Sequence, residues 1–298
     1  LTPVVLTTTA TTASVPGSYP ITITGPTAAN YNIITVNGIL TVVAVPYAGL
    51  VTYYWVGGVG SLNTPLTFAS STNWNTQLNG SGLARPATDT TGILIIDGSN
   101  VGGATPVTGN VFAYTGSTRM SQLILRNGAN LTLVRPTSGT GTITINGDAT
   151  NSDDLLVNAG CYLTIGVADS IVTTSGNNLL LAATATGRVF GSLFLNRGAC
   201  RTTASNAQAG GSLFFESGSI CKANTELTYY PFGSSSGVPY AVVFNAGSKL
   251  IYIGGNSPFT TSSTYMPVDF KTGSTFRIET AVPSAAVTSS NLFAKESI

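Results

Sequence analysis

The sequence predicts an all-β chain whose larger part is an irregular parallel β-helix, preceded by a short antiparallel strand pair. Three observations predict it. One pattern, apolar-any-apolar-any-any-Gly-small, occurs six times, with its glycines at Gly128, Gly160, Gly198, Gly218, Gly247 and Gly273. Its positions sort cleanly into apolar, polar and small columns. No segment of the 298 residues shows a sustained helical period, and Thr, Val and Ile runs broken by glycine favour strands. A unit repeated at tens of residues implies a stack of like elements, each burying its apolar face on the next.

The columns assign the faces. Five residues before the glycines stand Leu123, Leu155, Leu193, Leu213, Val242 and Val268, and three before stand Leu125, Val157, Leu195, Phe215, Phe244 and Phe270. Two before stand Arg126, Asn158, Asn196, Glu216, Asn245 and Lys271, all polar, as strand alternation requires when one face is buried. Small residues follow the glycines: Ala129, Cys161, Ala199, Ser219, Ser248 and Ser274. A small side chain beside a glycine suits a tight corner between stacked rungs. The runs at 93–98 (ILIIDG) and 142–147 (TITING) read as the remaining sides of these coils, and uneven glycine spacing implies loops at some corners. An array of β-sandwiches with hairpins is the competing arrangement.

Residues 18–42 read differently, as two strands with a Gly-Pro turn at Gly25 and Pro26 and an Asn-Gly turn at Asn37 and Gly38. Residues 17–42 carry Gly17, Tyr19, Ile21, Thr22 and Gly25, then Ala29, Asn30 and Tyr31, then Val36, Asn37, Gly38, Leu40, Thr41 and Val42. This series resembles the C-terminal half of an MBG-type bacterial immunoglobulin-like repeat. The resemblance implies that residues 1–45 are part of such a domain. Half a sandwich leaves an edge and an apolar face open. Its remaining strands would come from a longer chain or from a neighbouring subunit by β-addition.

Residues 46–92 read as a linker and N-terminal cap, and 93–298 as the β-helix. The stretch with Tyr53, Tyr54, Trp55, Val56, Gly57 and Gly58, then Asn73 and Trp74, then the strand ending at Asp97, resembles the opening of β-helical regions in large secreted surface proteins of the Bacteroidota. That resemblance implies export by the type IX route and an extracellular, cell-surface location. The C-terminal sorting domain typical of that group is not seen in the sequence, which starts at Leu1 without a signal peptide and reads as a piece of something longer.

Composition limits the chemistry. The chain has 12 basic and 11 acidic residues, no histidine and a formal charge of +1, which gives no footprint for nucleic acid. No apolar run approaches the length of a membrane-spanning helix. Without histidine, Ser-His and Cys-His nucleophile systems are excluded. The sole adjacent acids, Asp153 and Asp154, point to opposite faces if they lie on a strand, and 151–154 reads as a turn between rungs rather than a glycosidase dyad. No catalytic residue, metal ligand or cofactor is expected. Binding is the open alternative: Tyr53, Tyr54, Trp55, Trp74, Tyr229, Tyr230 and Phe232 are candidate stacking surfaces for glycans, with plugging of the solenoid end or packing under loops as the structural alternative.

The repeat also places the cysteines. Cys161 and Cys221 fall on the inward parity and read as small core residues, whereas Cys200 falls on the outward parity, so that no two share a column for a disulfide. A threonine ladder at Thr132, Thr164 and Thr202 stops after three rungs, too short for an ice-binding array. The sequence therefore reads as a non-enzymatic structural component of an extracellular surface fibre or filament, with self-association or neighbouring segments of the same long protein as partners. The alternative is an adhesin that binds glycans through aromatic loops.

Overall fold

The computed structural model describes residues 2–11, 14, 17–42, 50–58, 66–99, 110–113, 117–134, 141–147, 153–166, 177–182, 184–196, 198–202, 212–225, 230–232, 240–255 and 268–279. The chain divides into two units, Leu1–Pro46 and Tyr47–Ile298.

In the first unit, β1 (Val5–Thr8), β2 (Gly17–Thr24) and β3 (Gly38–Val42) form an antiparallel sheet in the order β1-β2-β3. The strand pair expected from sequence is β2 and β3. A third strand, β1, adds along the other edge of β2, from Val5 opposite Thr24 to Thr8 opposite Ile21. Gly38 is not a hairpin turn residue: it opens β3 and pairs with Ile21. Register places Leu6, Thr8, Tyr19, Ile21, Ile23, Leu40 and Val42 on one face and Val5, Thr7, Ser18, Pro20, Thr22, Thr24, Ile39 and Thr41 on the other. The first face is apolar yet open, with Leu6 63% and Leu40 38% exposed.

The second unit is a parallel β-solenoid. It begins with β4 (Thr52–Trp55), β5 (Leu66–Thr67) and β6 (Trp74–Asn75). The next coil holds β7 (Ile93–Asp97), β8 (Asn110–Ala113) and β9 (Ser117–Met120), and the one above it β10 (Gln122–Arg126), β11 (Asn130–Val134) and β12 (Gly141–Ile145). There follow β13 (Leu155–Val157), β14 (Tyr162–Ile165) and β15 (Asn177–Leu181), then β16 (Gly187–Val189), β17 (Ser192–Asn196) and β18 (Gly198–Thr202). Described strands of the last coils are β19 (Leu213–Phe215) with β20 (Ile220–Thr225), β21 (Val242–Phe244) with β22 (Lys249–Gly255), and β23 (Val268–Phe270) with β24 (Thr275–Ile278).

Three sheets result. The first face runs β23-β21-β19-β16-β13-β10-β7-β4-β6, the second β24-β22-β20-β17-β14-β11-β8-β5, and the third β18-β15-β12-β9. Among the described strands of this unit the pairings are parallel except β4 with β6, where Trp55 lies opposite Trp74. Side chains stack in columns because each rung sits in register on the last. On the first face Ile96, Leu125, Val157, Val189, Phe215, Phe244 and Phe270 form one inward column, all buried. The apolar columns read from sequence are thus the solenoid core. The outward position between them is buried as well at Ile95, Ile124, Leu156 and Val243, so outward does not mean wet on this face.

Five of the six repeat glycines occupy the corner between the first and second faces, with φ of 75° at Gly128, 76° at Gly160, 85° at Gly218, 80° at Gly247 and 87° at Gly273. Each is the third residue of a turn closed by a backbone bond to the residue after it, such as Cys161 N–H to the Asn158 carbonyl at 3.0 Å and Ser219 N–H to the Glu216 carbonyl at 2.9 Å. A positive φ at that position favours glycine. The small residue that follows is buried in the corner, and where it is Ser248 or Ser274 its hydroxyl donates to the carbonyl three residues back, at 2.6 and 2.7 Å.

Gly198 departs from the pattern. It lies in β18, because its copy of the repeat spans the second and third faces rather than the first and second. Leu193 and Leu195 accordingly join the column of Leu163 and Ile165. In that coil the first corner is made by Phe190 and Gly191 between β16 and β17. The shift turns Cys200 inward beside Leu179, fully buried, where sequence parity placed it outward. It also takes Thr202 to the third face, so that Thr132 and Thr164 are followed by Phe194 and the threonine ladder has only two rungs. The run at 93–98 is corrected too: β7 is a first-face strand in register with β10, while the 142–147 run supplies β12 on the third face as expected.

The two kinds of corner glycine predict different mutational costs. A Cβ on Gly128 or Gly160 meets nothing within 4 Å, so alanine there carries only the left-handed backbone strain, about 1–2 kcal/mol. A Cβ on Gly191 falls 2.3 Å from the Cys161 carbonyl oxygen and 2.4 Å from that of Asn158, both backbone. Gly191→Ala is therefore expected to cost about 3 kcal/mol or more in urea unfolding, since two rungs must separate. A cost below that of Gly160→Ala would contradict this packing.

Candidate binding cleft

The aromatic residues offered as glycan-stacking surfaces lie mostly in the core. Trp55 and Trp74 have no exposed surface; their rings meet edge to face at 5.2 Å, and Phe68 closes on Trp74 at 5.4 Å. Trp74 Nε1 donates to the Phe68 carbonyl at 2.7 Å, which satisfies the one polar atom that burial would strand. Together they plug the solenoid below β7. Phe232 is 1% exposed and packs edge to face on Phe215 and Phe244. A ring with no free face cannot stack on a sugar, so these three are corrected from ligand candidates to core. Tyr230 is half-buried, and Tyr229 lies outside the described residues.

Alternation along β4 leaves one aromatic outward. Tyr53 and Trp55 point into the core, and Tyr54 between them faces out, half-buried. After β6 the chain at 76–79 returns beside this ring. A cleft of about 450 Å³ results, lined by Tyr54, Thr76, Gln77, Leu78, Asn79 and Arg126. Arg126 comes from the end of β10, and its guanidinium lies over the Tyr54 ring, 5.6 Å from the centroid.

Both walls of the cleft are held from behind. Arg126 Nε donates to Asp97 Oδ2 at 2.6 Å, and Asp97 also accepts from Ser99 N–H at 3.0 Å, Ser99 Oγ at 2.6 Å and Asn127 Nδ2 at 2.9 Å. Burial pushes the Asp97 carboxyl up, but these bonds outweigh it and hold the group below the usual carboxylate range. The loop is organised by buried Asn75, which donates to the Gly80 and Gly82 carbonyls at 3.1 Å each and accepts from Gln77 and Gly82 N–H at 2.9 and 2.8 Å. Sequence reasoning named Tyr54 among the stacking candidates but missed Arg126 and the 76–79 segment beside it, because no local pattern ties those distant residues to the ring.

A second polar group runs up the outward side of the first face. Arg188 Nε donates to Asp153 Oδ1 at 2.8 Å, Arg188 also bridges to Glu216, and Asn245 Nδ2 donates to Glu216 Oε2 at 3.0 Å. The Arg188 guanidinium lies over Phe214, 5.0 Å from its centroid. Asp153 and Asp154 are both buried and are held apart: Asp154 Oδ2 accepts from Thr186 N–H at 2.7 Å. Burial pushes the Asp153 carboxyl up to about 6, against the pull of the Arg188 charge. Its folded form thus binds a proton more tightly than the unfolded chain, whose value is near 3.8. This group's contribution to stability is full below about pH 4 and is lost as pH rises through 6, a change of about 3 kcal/mol. Asp153→Asn is expected to flatten that part of the stability profile between pH 4 and 6, read from urea midpoints. An unchanged profile would contradict the assignment.

The three cysteines are free and buried. Burial pushes the Cys200 thiol up to about 12 and that of Cys221 well above its ordinary value, with the neighbouring Cys200 adding to the second. They are protonated core side chains, not nucleophiles. Among the described residues no group of three or more His, Cys, Asp or Glu is placed to hold a metal ion, and no helix is long and apolar enough to cross a membrane.

Residues 1–41 match the family model of the MBG domain (YGX type). The match covers the sheet of the first unit except its last residue, Val42, and ends before the solenoid. No curated protein and no solved structure matches the chain. An MBG domain followed by a parallel β-solenoid points to a surface or structural protein.

Proposed function

We propose that the chain is a structural segment of an extracellular surface fibre on a bacterial cell, with no catalytic activity of its own. The observation that carries this reading is the unbroken first face: nine described strands share one hydrogen-bond ladder over a single apolar column. Such a ladder resists bending because deforming it breaks bonds on every rung at once. The same reading supplies a partner. The open apolar face of the first unit, around Leu6, Ile21 and Leu40, calls for a second sheet, from a neighbouring segment of the same long protein or from another copy.

Sedimentation velocity on the full chain, followed by electron microscopy of the associated material, tests it. Concentration-dependent association into regular polymers is expected, and Leu6→Lys with Leu40→Lys should abolish it without moving the unfolding midpoint of the solenoid. A chain that stays monomeric at high concentration, or associates undiminished with both lysines in place, removes this reading.

A further inference from the structure

We propose that the Tyr54–Arg126 cleft binds a carboxylated sugar, such as a uronate unit of an acidic polysaccharide. This inference stands independently of the fibre reading. Its first support is the direction in which the lining groups hydrogen-bond. Ser81 Oγ lies 2.7 Å from both Gln77 Oε1 and Asn79 Oδ1 and shares its proton between them, and Ser81 N–H reaches Asn79 Oδ1 at 3.1 Å. With an oxygen of each engaged by Ser81, the amide NH₂ groups of Gln77 and Asn79 are the donors these two lining residues retain for a ligand. Arg126 uses Nε on Asp97, which leaves its terminal nitrogens without a protein partner among the described residues. Residues with donors to spare thus stand on both walls, and among the described residues the lining includes no carboxylate. A ligand rich in acceptors and carrying negative charge matches this set, since guanidinium pairs with a carboxylate in a two-pronged geometry.

The second support is shape. Tyr54 and Leu78 add an apolar wall to the polar one, as the C–H face of a pyranose requires. A volume of about 450 Å³ lies within the usual range for small-ligand sites, roughly 300–1,000 Å³. The third is rigidity. Asn75 fixes the loop backbone from within and Asp97 fixes Arg126 from behind, so the loop and the guanidinium are held before a ligand arrives.

Calorimetric titration of the full chain with trigalacturonate, and in parallel with the neutral galactose trimer, tests the assignment. Saturable binding of trigalacturonate that weakens with added salt is expected, with the neutral trimer at least tenfold weaker. Gln77→Glu with Asn79→Asp keeps the acceptors that Ser81 needs and replaces the donors by charge, so affinity should fall at least tenfold with the unfolding midpoint unchanged. Absence of trigalacturonate binding, equal binding of the neutral trimer, or full binding by the Gln77→Glu, Asn79→Asp variant would overturn the proposal.

Discussion

Replacing Phe244 by alanine is expected to destabilise the solenoid by roughly 3–5 kcal/mol. Phe244 sits in the middle of an aromatic column, stacked 4.4 Å from Phe215 at 3° and 5.0 Å from Phe270 at 19°, with Phe232 edge-on at 6.2 Å. All four rings are buried, so truncation leaves a cavity bounded by rings whose rungs are fixed by ladder bonds above and below. Such walls cannot close in, which places the cost at the upper end for a phenylalanine. Phe214→Ala, on the outward side of the neighbouring rung and half-buried, should cost about 1 kcal/mol, mainly the contact with Arg188. Urea unfolding of the two variants side by side is the measurement. A loss below about 1 kcal/mol for Phe244→Ala would mean that the column tolerates a void.

Arg188→Leu is expected to cost about 3–5 kcal/mol at pH 7, because it strips the charged partner from two carboxylates at once, leaving Glu216 only its bond from Asn245. The side chains of Asp153 and Glu216 are only 5% and 16% exposed, so neither can turn to water for compensation. The deficit should shrink as pH falls through 6, where Asp153 takes up its proton and its unpaired charge disappears. Adding Asp153→Asn and Glu216→Gln to Arg188→Leu should recover most of the loss at pH 7. If the triple variant is no more stable than the single one, the bridge is not what holds these rungs.

Much of the solenoid was legible in the residues because its period is written in them. Leu123, Leu155, Leu213, Val242 and Val268 share a column in the sequence and in the structure, and the glycines after them need positive φ whatever surrounds them. Gly198 shows where that reading fails. Its copy has the same apolar spacing, but a coil has three sides that look alike in sequence, and only the preceding two-residue corner at Phe190 and Gly191 decides that this copy lies one side further on. Cys200 and Thr202 were misplaced for that single reason. The aromatic residues failed differently: Trp55 and Tyr54 are adjacent, and strand parity alone does not say which one faces the interior until Trp74 pairs across from β6.

The sequence by itself determined the fold class, the inward columns and the corner chemistry, since these follow from side-chain alternation and from the backbone freedom of glycine, both local properties. Tertiary structure decided the phase of each coil, the burial of the tryptophans and the existence of the cleft. Those depend on which rung meets which: Arg126 reaches Tyr54 only because β10 stacks two rungs above β4, and Asn79 joins them only because the loop after β6 folds back beside the same face. Juxtapositions of that kind are set by the packing of distant segments, and no local pattern encodes them.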